Sequence, residues 1–199
     1  MHMQSPNRFL IVKNCIGMKW LVILMELVAF SSFGWALWTW FSKVSKPKGW
    51  EASYIKINAH IWALANLLAA LSGAACKSLG FTISGLALLL ISICLFWWTI
   101  ATFKKEKPAF AFSQRATARL ITSGTYAIVR HPLYTAYTLT WIGGTIATQC
   151  WWLSLSLLFM FPVYRRAAIL EERDWLGSEL SQDYKSYMAL TGRFLPGLK

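Results

Sequence analysis

The chain has 199 residues, 56% hydrophobic and only 14% charged, with a mean hydropathy of +0.44. A soluble domain carries roughly 25% charged residues, and a core of this length cannot hide so much apolar surface, so lipid must cover part of it. The net charge of +12 does not point to nucleic acid, because the basic residues fall between apolar runs, where they follow the positive-inside rule and meet anionic headgroups.

A spanning helix needs about 20 apolar residues. The first candidate covers 19–41, rich in Leu, Val and Trp with a lone Glu26, and reads as a retained span rather than a cleaved leader. The second, 57–76, is more polar, with Asn58, His60, Asn66 and Ser72. Its Ala65, Ala69 and Gly73 form a small-residue stripe that lets helices approach closely. A polar residue of this span is the expected partner of Glu26, a costly side chain in lipid. The third candidate, 81–103, is the most apolar, and the short link before it makes the second and third a hairpin.

A basic stretch follows, with Lys104, Lys105, Lys107, Arg115, Arg119 and Arg130. Two shorter apolar segments come next: 133–148, expected to break at Gly143-Gly144, and 151–170, expected to kink at Pro162. Gln149-Cys150 makes the turn between them. The sequence thus predicts an all-α, polytopic membrane protein of about five spans in a single domain, 1–199. An outside N-terminus places sixteen of the 20 basic residues on one face. This orients the long loop and the tail toward the cytoplasm, in a bacterial inner membrane or the endoplasmic reticulum.

Three polar clusters stand out. The first is Ser123-Gly124-Thr125-Tyr126-Ala127-Ile128-Val129-Arg130-His131-Pro132-Leu133-Tyr134. Gly124 permits a tight turn, and Pro132 suits the first turn of a helix. Tyr126, Arg130, His131 and Tyr134 crowd donors and acceptors at that helix start. The second cluster is Arg165-Arg166 with Glu171-Glu172-Arg173-Asp174. Arg165 and Glu172, seven apart, share a helical face, and carboxylates suit ribose hydroxyls or a sulfonium. The third is Tyr184, Tyr187, Arg193 and Pro196, an amphipathic segment that caps something. No phosphate loop, metal-spaced His/Cys set or serine elbow is present. Cys15, Cys76, Cys94 and Cys150 read as buried small residues.

These clusters, in this order, resemble the isoprenylcysteine carboxyl methyltransferase family and its relatives among membrane phospholipid methyltransferases. The matching pieces are Gly124-Thr125-Tyr126, Val129-Arg130-His131-Pro132-Leu133-Tyr134, a helical hairpin, Glu171-Glu172, Tyr184-x-x-Tyr187 and Arg193-x-x-Pro196. The resemblance covers roughly the last 80 residues. Leu180-Ser181 stands where the family has Phe-Gly, and Ala136 where it tends to have Gly.

The resemblance implies spanning helices over 1–103 and an S-adenosylmethionine-binding methyltransferase core over 104–199. Tyr126, Val129, Arg130, His131, Pro132, Leu133, Tyr134, Glu171, Glu172, Tyr184 and Tyr187 would then form the cofactor pocket, with Glu172 favoured over Glu171 for the family's acidic role. Arg130, Arg166 and Glu172 would serve the reaction, with Arg130 or Arg166 holding a carboxylate acceptor. The implied substrate is lipophilic and enters from the bilayer. A carboxyl group like that of an isoprenylcysteine is preferred over a lipid amine. No metal, nucleic acid or obligate protein partner is expected. The rival readings are an NADPH-dependent relative of the sterol reductases and a non-enzymatic membrane scaffold.

Overall fold

The computed structural model describes residues 6–41, 50–72, 78–106 and 120–198. Gly73, Lys107, Arg115 and Arg119 lie outside them. The described residues form six α-helices: α1 (Pro6–Phe41), α2 (Trp50–Leu71), α3 (Leu79–Glu106), α4 (Pro132–Thr148), α5 (Leu155–Leu176) and α6 (Ser181–Leu190). Short 3-10 turns at Gly124–Ala127 and Trp151–Ser154 lead into α4 and α5.

All five expected spans are helical over most of their described residues. Three are long and apolar enough to cross a bilayer: Ile16–Trp35, Leu79–Lys104 and Trp151–Leu176. Their outer faces carry exposed Leu24, Leu27, Leu90, Ile91, Leu158 and Phe159, which water would penalise and acyl chains accept. The other two are shorter. The apolar part of α2 is Ile57–Leu71. The 17 residues of α4 rise only about 25 Å, against a hydrocarbon core of about 30 Å.

Burial explains why α4 is short. It is the central helix, and its widest interface is with α3. A Cβ on Gly85 would overlap the backbone of Ala147, and one on Gly143 would press on Leu89 and the Gly85 carbonyl. Such close approach is how helices associate in lipid, where dispersion and interhelical hydrogen bonds replace water exclusion as the drive. The expected break at Gly143-Gly144 does not occur, because these glycines serve packing and α4 runs unbroken through them. Pro162 sits inside α5, which continues through it. The α3–α4 seam is fastened by the Ser92 hydroxyl, which donates to the Ala136 carbonyl at 2.7 Å and lies 2.6 Å from Thr140 Oγ1.

At its far end α4 stops at Gln149, whose left-handed φ of 55° turns the chain. The Gln149 amide donates to the Ser78 carbonyl at 2.9 Å and to Thr82 Oγ1 at 3.1 Å. Around α4 lie two aromatic layers. One packs Phe33, Phe96, Ile100 and Ala136. The other packs Trp141, Met160 and Tyr164, with Phe30, Trp62, Tyr134 and Tyr137 at its edge. Glu26 and Asn66 meet beside Gly144. Both are almost fully buried, and Glu26 Oε1, Glu26 Oε2 and Asn66 Oδ1 find no hydrogen-bond partner among the described residues. The expected meeting of Glu26 with a polar group of the second span is therefore one of position.

Candidate functional site

The segment before α4 is built to arrive at one place. Gly124 takes φ +60°, which an L side chain rarely adopts, and a Cβ there would strike the Thr102 side chain. Thr125, fully buried, meets Thr99 of α3 through their hydroxyls at 3.1 Å. The turn ends at Val129, which forms an isolated parallel bridge with Gly192 of the tail. Arg130 N–H then donates to the Gly192 carbonyl at 2.8 Å and His131 N–H to the Arg193 carbonyl at 3.1 Å. Pro132 opens α4 at the position where its missing N–H costs nothing. Residues 129–131 and 191–194 are thereby clamped side by side, although more than sixty positions separate them.

Glu172, near the end of α5, is the hub. Arg130 Nε donates to Glu172 Oε1 at 3.0 Å, and His131 Nε2 lies 3.1 Å from the same oxygen. Arg193 binds both oxygens, Nε to Oε1 at 3.0 Å and a terminal nitrogen to Oε2 at 2.6 Å. The rest of the Arg130 guanidinium donates to the carbonyls of Met188 and Thr191. Arg130, His131 and Glu172 are all buried. A buried carboxylate is tolerated only when paired and hydrogen-bonded, and here one carboxylate holds three elements together.

Glu171 sits differently. Its side chain is 32% exposed, its Oε1 accepts from the Tyr134 hydroxyl at 2.6 Å, and its Oε2 lies 3.4 Å from His131 Nδ1. The His131 ring stacks on Tyr134, with centroids 5.7 Å apart, and touches Phe194. Burial works against a charged His131 ring, but its hydrogen bonds to Glu171 and Glu172, and their charges, outweigh it and raise its pKa above the ordinary value. The arginine–carboxylate pairing with Glu172 raises that of Arg193 further.

The helix α6 backs this arrangement. Tyr184 stacks on Trp175 and contacts Tyr187. The Tyr187 hydroxyl donates to the Tyr126 carbonyl at 2.7 Å, and burial raises the phenol pKa of both Tyr126 and Tyr187. Tyr126, Val129, Arg130, His131, Pro132, Tyr134, Glu171, Glu172, Tyr184 and Tyr187 are thus gathered at the junction of α4, α5, α6 and the tail. Leu133 turns instead into the α3-side apolar layer. Arg166 stands apart: it is exposed on the outer flank of α5, beside Arg165 and Arg173. Arg165 shares the Glu172 face, as its spacing implies, yet it is exposed because α6 and the tail cover only the last turns of α5. Arg193 and Phe194 join the cluster although sequence reasoning gave them no role in the site. The sequence signal for Arg193 was its place in the third polar cluster.

The donor set suits S-adenosylmethionine on an observation of the site itself. Glu171 is a half-buried carboxylate with lone pairs to spare, held at the ring edges of His131 and Tyr134, and such a carboxylate matches a ribose diol or a sulfonium.

A family model described as phospholipid methyltransferase matches residues 81–182, just over half of the chain, from the start of α3 to the start of α6. A search of curated proteins finds no match.

Proposed function

We propose, since the chain belongs to the phospholipid methyltransferase family, that this membrane methyltransferase moves a methyl group from S-adenosylmethionine to a lipid-borne acceptor where α4 begins and α5 ends. The observation that carries the reading is the division of labour between two adjacent carboxylates. Glu172 is consumed by Arg130, His131 and Arg193, while Glu171 remains one-third exposed at the edges of His131 and Tyr134. Glu172 is accordingly a positioning residue, and Glu171 is the group that contacts ligand.

When bound, the cofactor supplies an electrophilic methyl group on a sulfonium. The chain's own task is to bind, orient and exclude water. Glu171, Tyr134, His131 and Tyr126 would hold the cofactor, with Tyr184 and Tyr187 behind them. Arg130 and Arg193 keep the tail folded over the junction through Glu172.

For the acceptor, the geometry favours a lipid amine over the carboxyl group of an isoprenylcysteine. A carboxylate acceptor needs a free cation, and Arg130 and Arg193 are committed to Glu172, while Arg166 lies on the outer flank of α5. What continues inward from Glu171 is a wall of rings: Tyr134 stacked on Tyr164 at 5.5 Å, Tyr164 against Tyr137, and Trp141 donating to the Tyr164 hydroxyl at 3.2 Å. A part-exposed carboxylate at the rim of such an uncharged wall suits a cationic headgroup. An ammonium acceptor has to shed a proton before attack, and in this reading Glu171, the part-exposed carboxylate of the pair, would take it.

The test has two stages. Calorimetric titration of the detergent-purified protein should show saturable binding of S-adenosylmethionine and S-adenosylhomocysteine, lost in Glu171→Ala, and none of NADPH. NADPH binding alone moves the protein to the reductase reading, and binding of none of the three leaves the scaffold reading. Methyl-labelled cofactor and membrane lipid should then give an alkali-stable product, since an N-methyl group survives base. Label released by alkali as methanol would mean a carboxyl methyl ester instead.

A further inference from the structure

The outer flank of α5 carries a feature that methyl transfer does not use. Arg165, Arg166 and Arg173 line a cleft of about 310 Å3 together with Pro162, Ile169 and Leu170. None of the described lining residues is acidic. All three arginines are exposed, and Arg165, Ile169 and Arg173 fall four apart on one stripe, so two guanidinium groups bracket an apolar floor.

Depth decides what such a cleft meets. Trp151 and Trp152, both more than half exposed, suit the opposite bilayer interface. At about 1.5 Å per residue, Arg165 lies roughly 20 Å and Arg173 roughly 33 Å further along the helix. With a hydrocarbon core of about 30 Å, this stretch crosses the boundary between acyl chains and headgroups. A guanidinium at the level of Arg165 is costly unless it reaches an anion. That level lies roughly 10 Å inside the hydrocarbon boundary, so the side chain must snorkel up to the lipid phosphates, the anions concentrated at that boundary.

We propose that this cleft is a binding site for an anionic glycerophospholipid, its phosphate held between Arg165 and Arg173, and its upper acyl chain lying on Pro162, Ile169 and Leu170. The bound lipid is a resident of the outer flank and not the methyl acceptor. Because Arg173 directly follows Glu172, the lipid would brace the turn of α5 that carries the hub carboxylate. The proposal stands whether or not the methyltransferase reading does.

Native mass spectrometry of the full chain, released from nanodiscs of equal phosphatidylglycerol and phosphatidylcholine, tests it. The wild-type chain should retain phosphatidylglycerol with about a thirtyfold preference, the scale expected for two interfacial arginines. Arg165→Gln/Arg173→Gln should lose that preference while keeping its helical circular dichroism, and Arg165→Lys/Arg173→Lys should keep most of it. Inorganic phosphate should not displace the lipid. Equal retention by the wild-type and glutamine chains overturns the proposal, and so does displacement by inorganic phosphate, which would assign the cleft to a soluble anion.

Discussion

Arg193 grips Glu172 through two near-parallel hydrogen bonds, 3.0 Å from Nε to Oε1 and 2.6 Å from a terminal nitrogen to Oε2. The fork joins the C-terminal tail to α5. Arg130 and His131 approach the same carboxylate from the start of α4, so one acidic side chain fixes three separate stretches of chain.

Glu172→Gln should therefore be strongly destabilising. It keeps the shape but removes the charge, leaving Arg130, 5% exposed, buried without its counterion. Breaking one side of a buried pair costs about 3–5 kcal/mol. Thermal unfolding in detergent, followed by tryptophan fluorescence, should show a clearly lowered midpoint, and cofactor binding should fall with it. An unchanged midpoint would mean that the tail is held by other contacts. Arg193→Lys should fall between, since a lysine cannot fork.

His131 sets a pH dependence. Its pKa is raised in the fold, while the unfolded ring titrates near 6.5. The folded protein then binds the proton more tightly than the unfolded chain. Its contribution to stability is complete below the unfolded pKa and disappears as pH rises through the folded one. Unfolding midpoints should decline as pH increases above about 6.5, and His131→Gln should flatten that decline. A wild-type profile as flat as the variant's would remove the histidine from this role.

Tyr187→Phe deletes one hydroxyl that donates to the Tyr126 carbonyl at 2.7 Å. The carbonyl is left short of a partner, at a cost of about 0.5–1.5 kcal/mol. Because this bond ties α6 to the turn before α4, S-adenosylmethionine should bind several-fold more weakly in calorimetry. An affinity equal to the wild type's would show that α6 does not shape the pocket.

Much of this arrangement is legible in the residues. Gly124, Pro132, the Arg130-His131 pair and Glu171-Glu172 each announce a local role, and the apolar runs mark α1 to α5 but not the polar α6. What the chain order hides is direction. Arg166 belongs with Glu172 by proximity in sequence, but 100° per residue carries it to the outer flank of α5. Arg193 lies 21 residues from Glu172, and only the fold of α6 and the tail brings them together. Glycine is ambiguous in the same way. Gly143-Gly144 in a short apolar run reads as a break, and only the partner helix reveals it as a contact surface.

That contact surface yields the sharpest packing test. At Gly85 an added Cβ would overlap the backbone nitrogen and Cα of Ala147, and a helix backbone has no rotamer with which to yield. Gly85→Ala must therefore push α3 away from α4, loosening the Ser92–Thr140 fastening about two turns further along. Overpacking costs typically about 1–3 kcal/mol, and here the backbone contact argues for the upper end. At Gly34 nothing lies within 4 Å of the added carbon, so Gly34→Ala adds helix propensity of up to about 1 kcal/mol and no strain. The two variants should move the unfolding midpoint in opposite directions. If both raised it, α3 and α4 would not be in backbone contact at Gly85, and the seam that positions the start of α4 would have to lie elsewhere.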